Sequence, residues 1–398
     1  SGKDWGVMSV GMLQAPEGSG FADPSGSAVD AMGLSAAGTG DQDVDRFAAL
    51  IGADSRQAIR NVQTQLLSID VDGHRMPITV NSRETGNSYV VSPLNAYGAY
   101  AREELTVLQD KMPTWPLGLL IRGVEAALSA ARIDQIVYVN NWLFSTNPYP
   151  AWQGEGLEAL TETLADRYPE HFIAFRSLNS FANDALLQRF KAARYRIVPA
   201  RQIYMFDHQD LSWLKCQNTK RDLALLKKTP LTRTGHDGIA DAEFEVVEAL
   251  YAQLYLQKYS YNNPQFSAAY LRQCRNSGVL EFEGFRDAEG RLVAVVGTFQ
   301  HGGVLTTPML GYDTTLPREL GLYRLLIATV FEKALERGIP INLSAGAASF
   351  KRLRGAKPFI EYTAQYDQHL SWSRRATLNS LTAVLTRAGV PLMKRFKL

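Results

Sequence analysis

The chain has 398 residues, a length that exceeds one ordinary hydrophobic core and predicts about two domains. Its 42 basic and 40 acidic side chains leave a net charge of +2, which argues against non-specific nucleic-acid binding over the whole surface. Two cysteines, Cys216 and Cys274, cannot build a disulfide framework, and no apolar run approaches the roughly 20 residues that span a bilayer. Because the chain also lacks a signal-like start, these features predict a cytoplasmic protein.

Residues 1–45 are rich in Gly, Ser and Ala and show little hydrophobic periodicity. Such a composition buries little apolar surface, so this segment is predicted to be a flexible leader. A segment that folds over a neighbouring domain or subunit is the alternative.

Residues 46–210 form the first predicted domain. Helical spacing at 47–67 is followed by alternating strands on either side of an Asp72-Gly73 turn, which predicts a hairpin. The remaining predicted elements are helices at 96–108, 117–131, 157–168 and 184–193 and strands at 135–143, 171–175 and 195–207. The polar and basic segment 211–239 is the predicted linker.

Residues 240–370 form the second predicted domain and repeat this alternation of strands and helices. Its predicted strands are 280–286, 292–300, 304–312, 339–344 and 361–367, with a helix from Leu322 to Gly338 and a short helix near Phe350. The order predicts α/β architecture with α+β mixed sheets, each flanked by helices. No residue-level repeat is detected, so the duplication rests on element order. The tail 371–398 is a basic amphipathic helix, for which packing on its own domain is favoured over membrane contact.

The turn Arg318-Glu319-Leu320-Gly321-Leu322-Tyr323 joins a strand to a helix. Unpaired backbone N–H groups and the helix dipole favour an anion such as a pyrophosphate there. An ordinary helix N-terminus after Pro317 is the alternative. The Arg-x-x-Gly-x-Tyr spacing resembles the acyl-CoA pyrophosphate loop of GNAT-type acyltransferases.

The run Ser349-Phe350-Lys351-Arg352-Leu353-Arg354-Gly355 resembles a Tyr/Phe-Lys-Arg-x-x-Gly run of the BioF2-like families; a solvated basic turn is its alternative. The whole block resembles the branch that contains BioF2-like acetyltransferases and Fem-type peptidyltransferases. The resemblance implies two tandem GNAT-like domains, the second of which holds a thioester donor. The residues that it implies for donor binding are Arg318, Gly321, Tyr323, Ser344, Gly346, Ser349, Lys351 and Arg352.

Three side chains are candidates for taking a proton from the acceptor. Asp313 and Tyr312 end the strand before the Gly321 turn, and Glu283 lies on an earlier strand. A carboxylate within reach of an amine acts as a general base. A capping or surface carboxylate is the alternative for Asp313 and Glu283.

Four further residues are candidates for substrate contact. Asn141 and Trp142 interrupt a buried strand, Arg176 follows the next strand, and Tyr259 belongs to an aromatic and polar patch. Polar groups at strand ends often line a crevice. A structural hydrogen-bond network, or core packing for Tyr259, is the alternative.

The combined interpretation is an N-acyltransferase that passes an acyl group directly from a thioester to an amine held between the two domains. The resemblance implies an acyl-CoA donor. Because Tyr323 stands where GNAT loops usually carry Gly or Ala, an acyl-carrier-protein thioester is the alternative donor. No metal is expected, since the six histidines are never at ligand spacing. One alternative is a Fem-type transferase that uses aminoacyl-tRNA in a basic channel supplied by Lys215, Lys220, Arg221, Lys227 and Lys228. A non-catalytic binding protein with the same fold is the other.

Overall fold

The computed structural model describes residues 39–105 and 115–396. Within them the strands are β1 (Gln65–Val71), β2 (His74–Ser82), β3 (Gln135–Val139), β4 (Phe172–Asn179), β5 (Arg196–Phe206), β6 (Thr232–Thr234), β7 (Glu281–Arg286), β8 (Leu292–His301), β9 (Val304–Tyr312), β10 (Ile341–Asn342) and β11 (Lys357–Tyr366). All of them belong to one mixed sheet, with the order β1-β2-β3-β4-β11-β5-β10-β9-β8-β7-β6.

Helices cover the faces of this sheet. They are α1 (Thr39–Ile51), α2 (Ser55–Ala58), α3 (Pro93–Tyr97), α4 (Ala99–Leu105), α5 (Trp115–Ala130), α6 (Leu157–Arg167), α7 (Asp184–Ala192), α8 (Gln217–Lys228), α9 (Phe244–Tyr251), α10 (Ala268–Asn276), α11 (Leu322–Arg337), α12 (Ala348–Arg352), α13 (Trp372–Val384) and α14 (Val390–Phe396). Among the described residues, no helix combines the length and the apolar character needed to cross a membrane.

The two halves of the chain use the same topology. In the first half, β1, β2 and β3 are antiparallel, and β3 is parallel to β4 with α6 between them in sequence. In the second half, β7, β8 and β9 are antiparallel, and β9 is parallel to β10 with α11 between them. The predicted mixed α/β fold flanked by helices is therefore confirmed, but in the described part of the chain the strands form one continuous sheet and not two separate sheets.

The two halves of the sheet are joined by an exchange of their last strands. β11 lies between β4 and β5 and pairs antiparallel with both, while β5 pairs antiparallel with β10. The tail follows β11, and Leu378 and Leu381 of α13 enter a core cluster with Leu128 and Phe172. The tail thus packs on the half formed by the first part of the chain.

The segment 211–239 is not an extended connection. It contains α8, whose two buried residues, Thr219 and Asp222, are polar. Thr219 Oγ1 donates to the Arg354 carbonyl oxygen at 3.0 Å, and Asp222 is fully buried. Because its fully buried residues are polar and its leucines Leu223, Leu225 and Leu226 are only partly buried, the sequence of this helix resembles that of a linker.

The N-terminal helix α1 begins inside the predicted leader, whose residues 1–38 lie outside the described part of the chain. Phe47 of α1 packs on Trp142 at 5.2 Å between ring centroids, and Trp142 packs on Phe299 of β8 at 5.0 Å. Trp142 is fully buried. It therefore belongs to the core that joins the halves, which corrects its assignment to substrate contact.

Candidate active site

β9 and β10 separate after a short parallel pairing. They pair only at Leu305–Ile341 and Thr306–Asn342, whereas β9 continues to Tyr312. On its other side β9 has one extra residue opposite β8, within Thr307-Pro308. Proline has no backbone N–H and is tolerated at such a bulge. Beyond Thr306, the edge of β9 that faces β10 has no strand partner among the described residues, so an extended ligand can pair with it.

The N-terminus of α11 opens beside this gap. Its N-cap, Gly321, has a left-handed φ of 64° and supplies no side-chain cap. A side chain at this position would be strained, and its Cβ would lie 2.8 Å from Leu225 of α8. The first N–H groups of α11 have no intrahelical acceptor, and the helix dipole adds positive potential. The geometry therefore fits an anion.

Three arginines surround this helix end. Asp222 Oδ1 lies 2.6 Å from Arg324 Nε, and Asp222 Oδ2 lies 2.5 Å from Arg354 Nε. The Arg354 guanidinium also lies 3.3 Å from the centre of the Phe350 ring. Arg318 is exposed and makes no ion pair with any described residue. It is thus the arginine of the three that remains available to an external anion.

Aromatic side chains form a wall beside the same helix end. The Tyr323 ring meets Phe350 edge-on at 4.6 Å and lies 6.3 Å from Tyr312. Burial, with the neighbouring tyrosines adding, raises the pKa of Tyr323 well above its ordinary value. Tyr255 and Tyr259, 6.1 Å apart, complete the group. The structure therefore brings together Tyr259, Tyr312 and Tyr323, which were assigned to three different roles.

Lys351 is a structural residue rather than a solvent-exposed phosphate ligand. It is buried, and Nζ donates to the carbonyl oxygens of Leu343, Ser344 and Ala345 at 2.6, 3.1 and 2.7 Å. Burial lowers the pKa of Lys351 well below its ordinary value. Its amine thus fixes the turn that leads the chain away from β10, which corrects its assignment to donor binding.

The other predicted donor residues near this turn differ in what they offer. The Ser344 N–H donates to Asn342 Oδ1 at 2.8 Å, and its carbonyl oxygen accepts from Tyr204 and Lys351. The Ser344 backbone is therefore already engaged, against expectation. Gly346 and Ser349 are exposed, and Arg352 is half-buried. Donor binding by these three residues stays a prediction.

The three proton acceptors expected from the sequence do not converge. Glu283 forms two ion pairs: its Oε1 lies 2.9 Å from Lys333 Nζ, and its Oε2 lies 2.5 Å from Arg233 Nη2. This carboxylate is thus committed to a structural network, which corrects its assignment as a base. Asp313 Oδ1 accepts from the N–H and the hydroxyl of Thr315 at 2.9 and 2.6 Å, so it orders the loop before α11. A catalytic role for Tyr312 or Asp313 stays a prediction.

A cavity of about 300 Å³ lies where the two halves meet. Its lining is rich in amides and hydroxyls from the first half, and the second half contributes Gly302, Val304 and Asn342. Asn147 is fully buried there, and its Nδ2 has no partner among the described residues. Because Asn342 is the residue at which β10 leaves β9, the cavity reaches the closed end of the strand separation.

Asn141 and Arg176 belong to a buried network close to this cavity. Asn141 Nδ2 donates to Thr79 Oγ1 and to the Val90 carbonyl oxygen at 2.9 and 3.0 Å. Its full engagement corrects the assignment of Asn141 to substrate contact. Arg176 lines a second cavity, on the sheet of the first half.

A second glycine-capped loop in the first half was not predicted. Gly156 caps α6 with a left-handed φ of 69°, at the position that corresponds to Gly321. The spacing Gln153-x-x-Gly156-Leu157 parallels Arg318-x-x-Gly321-Leu322, and aligning the halves by their strand order would have found it. In this loop the carboxylate of Glu155 accepts from backbone N–H groups, which lowers its pKa. The loop of the first half therefore carries its own anion.

Several solved structures are similar to this chain at low sequence identity. FemX is 8% identical, with 77% of this chain and 88% of that chain covered at a TM-score of 0.46. A tandem GNAT protein from the clavulanic acid biosynthesis pathway is 13% identical, covering 81% and 87% at a TM-score of 0.39. L-PGS from Bacillus licheniformis is 12% identical, covering 57% and 78% at a TM-score of 0.42. No curated protein matches the chain.

One protein family also matches. Residues 217–352 match the family described as an acetyltransferase (GNAT) domain. The matched stretch begins with α8 and ends with α12. It therefore includes β9, α11 and β10, the unit that contains the strand separation and the Gly321 loop.

Proposed function

We propose that this chain, whose residues 217–352 match an acetyltransferase (GNAT) domain, transfers an acyl group from a thioester donor to an amine acceptor. The observation that carries this proposal is the separation of β9 from β10 next to the Gly321-capped N-terminus of α11. An unpaired strand edge suits an extended amide-containing arm, and the helix N-terminus suits its phosphates.

The donor is acyl-CoA or an acyl-carrier-protein thioester. Both carry a phosphopantetheine arm, whose phosphate meets the N–H groups of α11 and the exposed Arg318. Tyr312, Tyr323 and Phe350 line the path of the arm toward the strand gap. The corresponding loop of the first half differs, because it carries the Glu155 carboxylate, which accepts from the Gln153 N–H.

The acceptor is a small-molecule amine that binds in the cavity between the halves. Asn147 and Asn342 place amide groups along its wall, close to the closed end of the strand gap. A thioester is already activated, so direct attack by the amine needs no covalent enzyme intermediate. A backbone N–H of β9 at the gap stabilises the developing oxyanion, and the positioning of both substrates supplies the rest of the rate enhancement.

A second candidate donor is aminoacyl-tRNA. The segment 211–228 presents an exposed cationic surface, and Leu225 of α8 lies against Gly321. The residues of this surface are Lys215, Lys220, Arg221, Lys227 and Lys228. Such a surface suits either the phosphates of tRNA or an acidic carrier protein.

The test is a transfer assay with three donor classes: a panel of acyl-CoAs, acyl-carrier proteins and aminoacyl-tRNAs, each offered with mixed amines. Thiol release is followed for the first two and product mass for all three. The double variant Lys220→Glu/Lys227→Glu should slow transfer from the two macromolecular donors and spare acyl-CoA, whereas Lys191→Glu, an exposed lysine on α7, should affect none. Absence of transfer from all three donors would leave a non-catalytic binding protein.

A further inference from the structure

A second cavity, of about 240 Å³, lies over the sheet of the first half. Its floor is formed by β3, β4, β5 and β11, and its roof by α3–α5 and by the tail helices α13 and α14. The roof is almost entirely apolar, with Ile121, Val124, Leu385, Leu392 and Met393 among its residues. The strand exchange creates this enclosure, because β11 brings the tail onto the first half.

The floor of this cavity carries an excess of positive charge. Arg201 Nε lies 2.8 Å from Glu361 Oε1, so these two side chains neutralise each other. Arg176 is only 8% exposed and makes no ion pair with a described residue. Its Nη1 donates to the Val90 carbonyl oxygen at 2.7 Å and to Asn141 Oδ1 at 3.2 Å. Two buried cations therefore face one carboxylate.

A buried cation without a counter-ion is costly, because burial removes its hydration. Neutral partners, including the Tyr138 ring at 5.6 Å, compensate for only part of that loss. The Tyr97 hydroxyl is hydrogen-bonded to Thr363 on the same floor, and burial raises its pKa to about 12, so the hydroxyl stays neutral. An anionic group placed between Arg176 and Tyr97 would meet a cation and a neutral hydroxyl.

We propose that this cavity binds an amphiphilic anion, with its charged head at Arg176 and its aliphatic chain between α5 and the tail helices. The open side fits the entry of such a molecule. Leu120 lines the cavity and is 46% exposed, and the neighbouring Leu119 is 58% exposed. On α14, Met393 of the lining precedes the exposed cations Lys394 and Arg395. The site is distinct from the donor site at α11 and does not depend on the transfer reaction.

The test compares three ligands with the same chain and different heads. Decanoate, decanol and decylamine are titrated calorimetrically into the full chain below their micellar concentrations. Decanoate should bind tightest and decylamine weakest. In Arg176→Met, decanoate should bind at least about tenfold more weakly, since a charge-assisted contact is lost, and decanol should be unchanged. Arg167→Met, which removes an exposed arginine from α6, is the matched control.

A second variant tests the apolar part of the site. Ala101 lines the cavity from α4, so Ala101→Trp should fill it and abolish binding of both decanoate and decanol. Thermal unfolding checks that each variant folds. Arg318→Glu should leave decanoate binding intact, which separates failure of this site from failure of the donor site. Equal binding of all three ligands, or an unchanged decanoate affinity in Arg176→Met, would overturn the proposal.

The same anion chemistry occurs in free fatty acids and in membrane lipids. Co-sedimentation with vesicles of 30% phosphatidylglycerol in phosphatidylcholine distinguishes the two sources. Sedimentation that Arg176→Met reduces supports a lipid as the ligand. Decanoate binding without sedimentation supports a free fatty acid, and absence of both overturns the site.

Discussion

Asp222 and Arg354 form an ion pair across 132 positions of the sequence, with Asp222 Oδ2 2.5 Å from Arg354 Nε. The other carboxylate oxygen of Asp222 contacts Arg324 near the start of α11. One buried carboxylate therefore fixes α8, the N-terminus of α11 and the turn after α12 relative to one another. These are the elements that surround the proposed phosphate site.

Replacing Asp222 with Asn should destabilise the protein strongly. The substitution keeps the shape of the side chain but leaves Arg324 and Arg354 without their shared carboxylate. Breaking a buried ion pair on one side typically costs about 3–5 kcal/mol. Urea unfolding measures the loss, with Asp237→Asn, the same change at an exposed position, as the control. A loss no greater than that of the control would show that the network contributes little.

Replacing Arg318 with Glu should abolish binding of a phosphate-bearing donor, since it inverts the charge at the anion site. A charge-assisted phosphate contact is worth roughly 1.5–3 kcal/mol, and repulsion adds to its loss. Calorimetry with the preferred donor measures the effect, and Arg167→Glu tests charge reversal away from the site. Unchanged donor affinity in a folded Arg318→Glu variant would contradict the phosphate assignment.

His301 should make the protein less stable in mild acid. It packs on Trp142 and Phe299 between the halves, and burial lowers its pKa to about 4. The unfolded chain takes up this proton near pH 6.5, whereas the folded chain resists it until about pH 4. The contribution of neutral His301 to the free energy of unfolding is therefore fully present above pH 6.5. It is lost as the pH falls toward 4, by up to about 3 kcal/mol.

Urea unfolding at pH 7 and pH 5 measures this dependence. The difference between the two values should shrink in His301→Leu and persist in His208→Leu. An identical pH dependence in the parent protein and His301→Leu would mean that other groups cause the acid sensitivity.

The sequence predicted those parts of the fold that local patterns encode. The Arg318-to-Tyr323 turn, its helix and the repeated element order were found because caps and hydrophobic periods depend on neighbouring residues. The strand exchange was not predicted, because β5 and β11 are both suitable edge partners and only the assembled sheet decides where each one pairs. The helix α8 was taken for a linker because its buried residues are polar.

The roles of single side chains were predicted less well. Lys351 and Glu283 carry charges, and charged residues are usually exposed. Their burial depends on partners far away in sequence: Lys351 contacts the turn after β10, and Glu283 contacts Lys333 of α11. Asn141 shows the same limitation, since its acceptor Thr79 lies 62 positions away. Motif spacing located the region of the site but did not distinguish residues that could bind a ligand from residues that hold the fold around it.

The strand exchange predicts that neither half folds without the other. A fragment of residues 217–352, the part that matches the GNAT family, lacks β5, which flanks β10 in the whole protein. A fragment of residues 39–210 lacks β11, which fills the space between β4 and β5. Each fragment would expose an unpaired strand edge and a split core, so circular dichroism and urea titration should show no cooperative unfolding. Cooperative unfolding of 217–352 alone would contradict this expectation.

Asn183 offers a selective test of the acceptor cavity. It lines the cavity between the halves at the N-cap of α7, yet its side chain makes no cap hydrogen bond. Asn183→Ala should therefore change stability by less than about 0.5 kcal/mol, because the cap hydrogen bond that such a substitution usually removes is not formed. If the amine binds there, the variant should raise the KM for the acceptor several-fold and leave the KM for the donor unchanged. The control is Asn276→Ala at the end of α10, an exposed position outside the cavity lining. Steady-state kinetics with each substrate varied in turn gives both constants. A rise in the KM for the donor alone would show that the acceptor does not bind in this cavity.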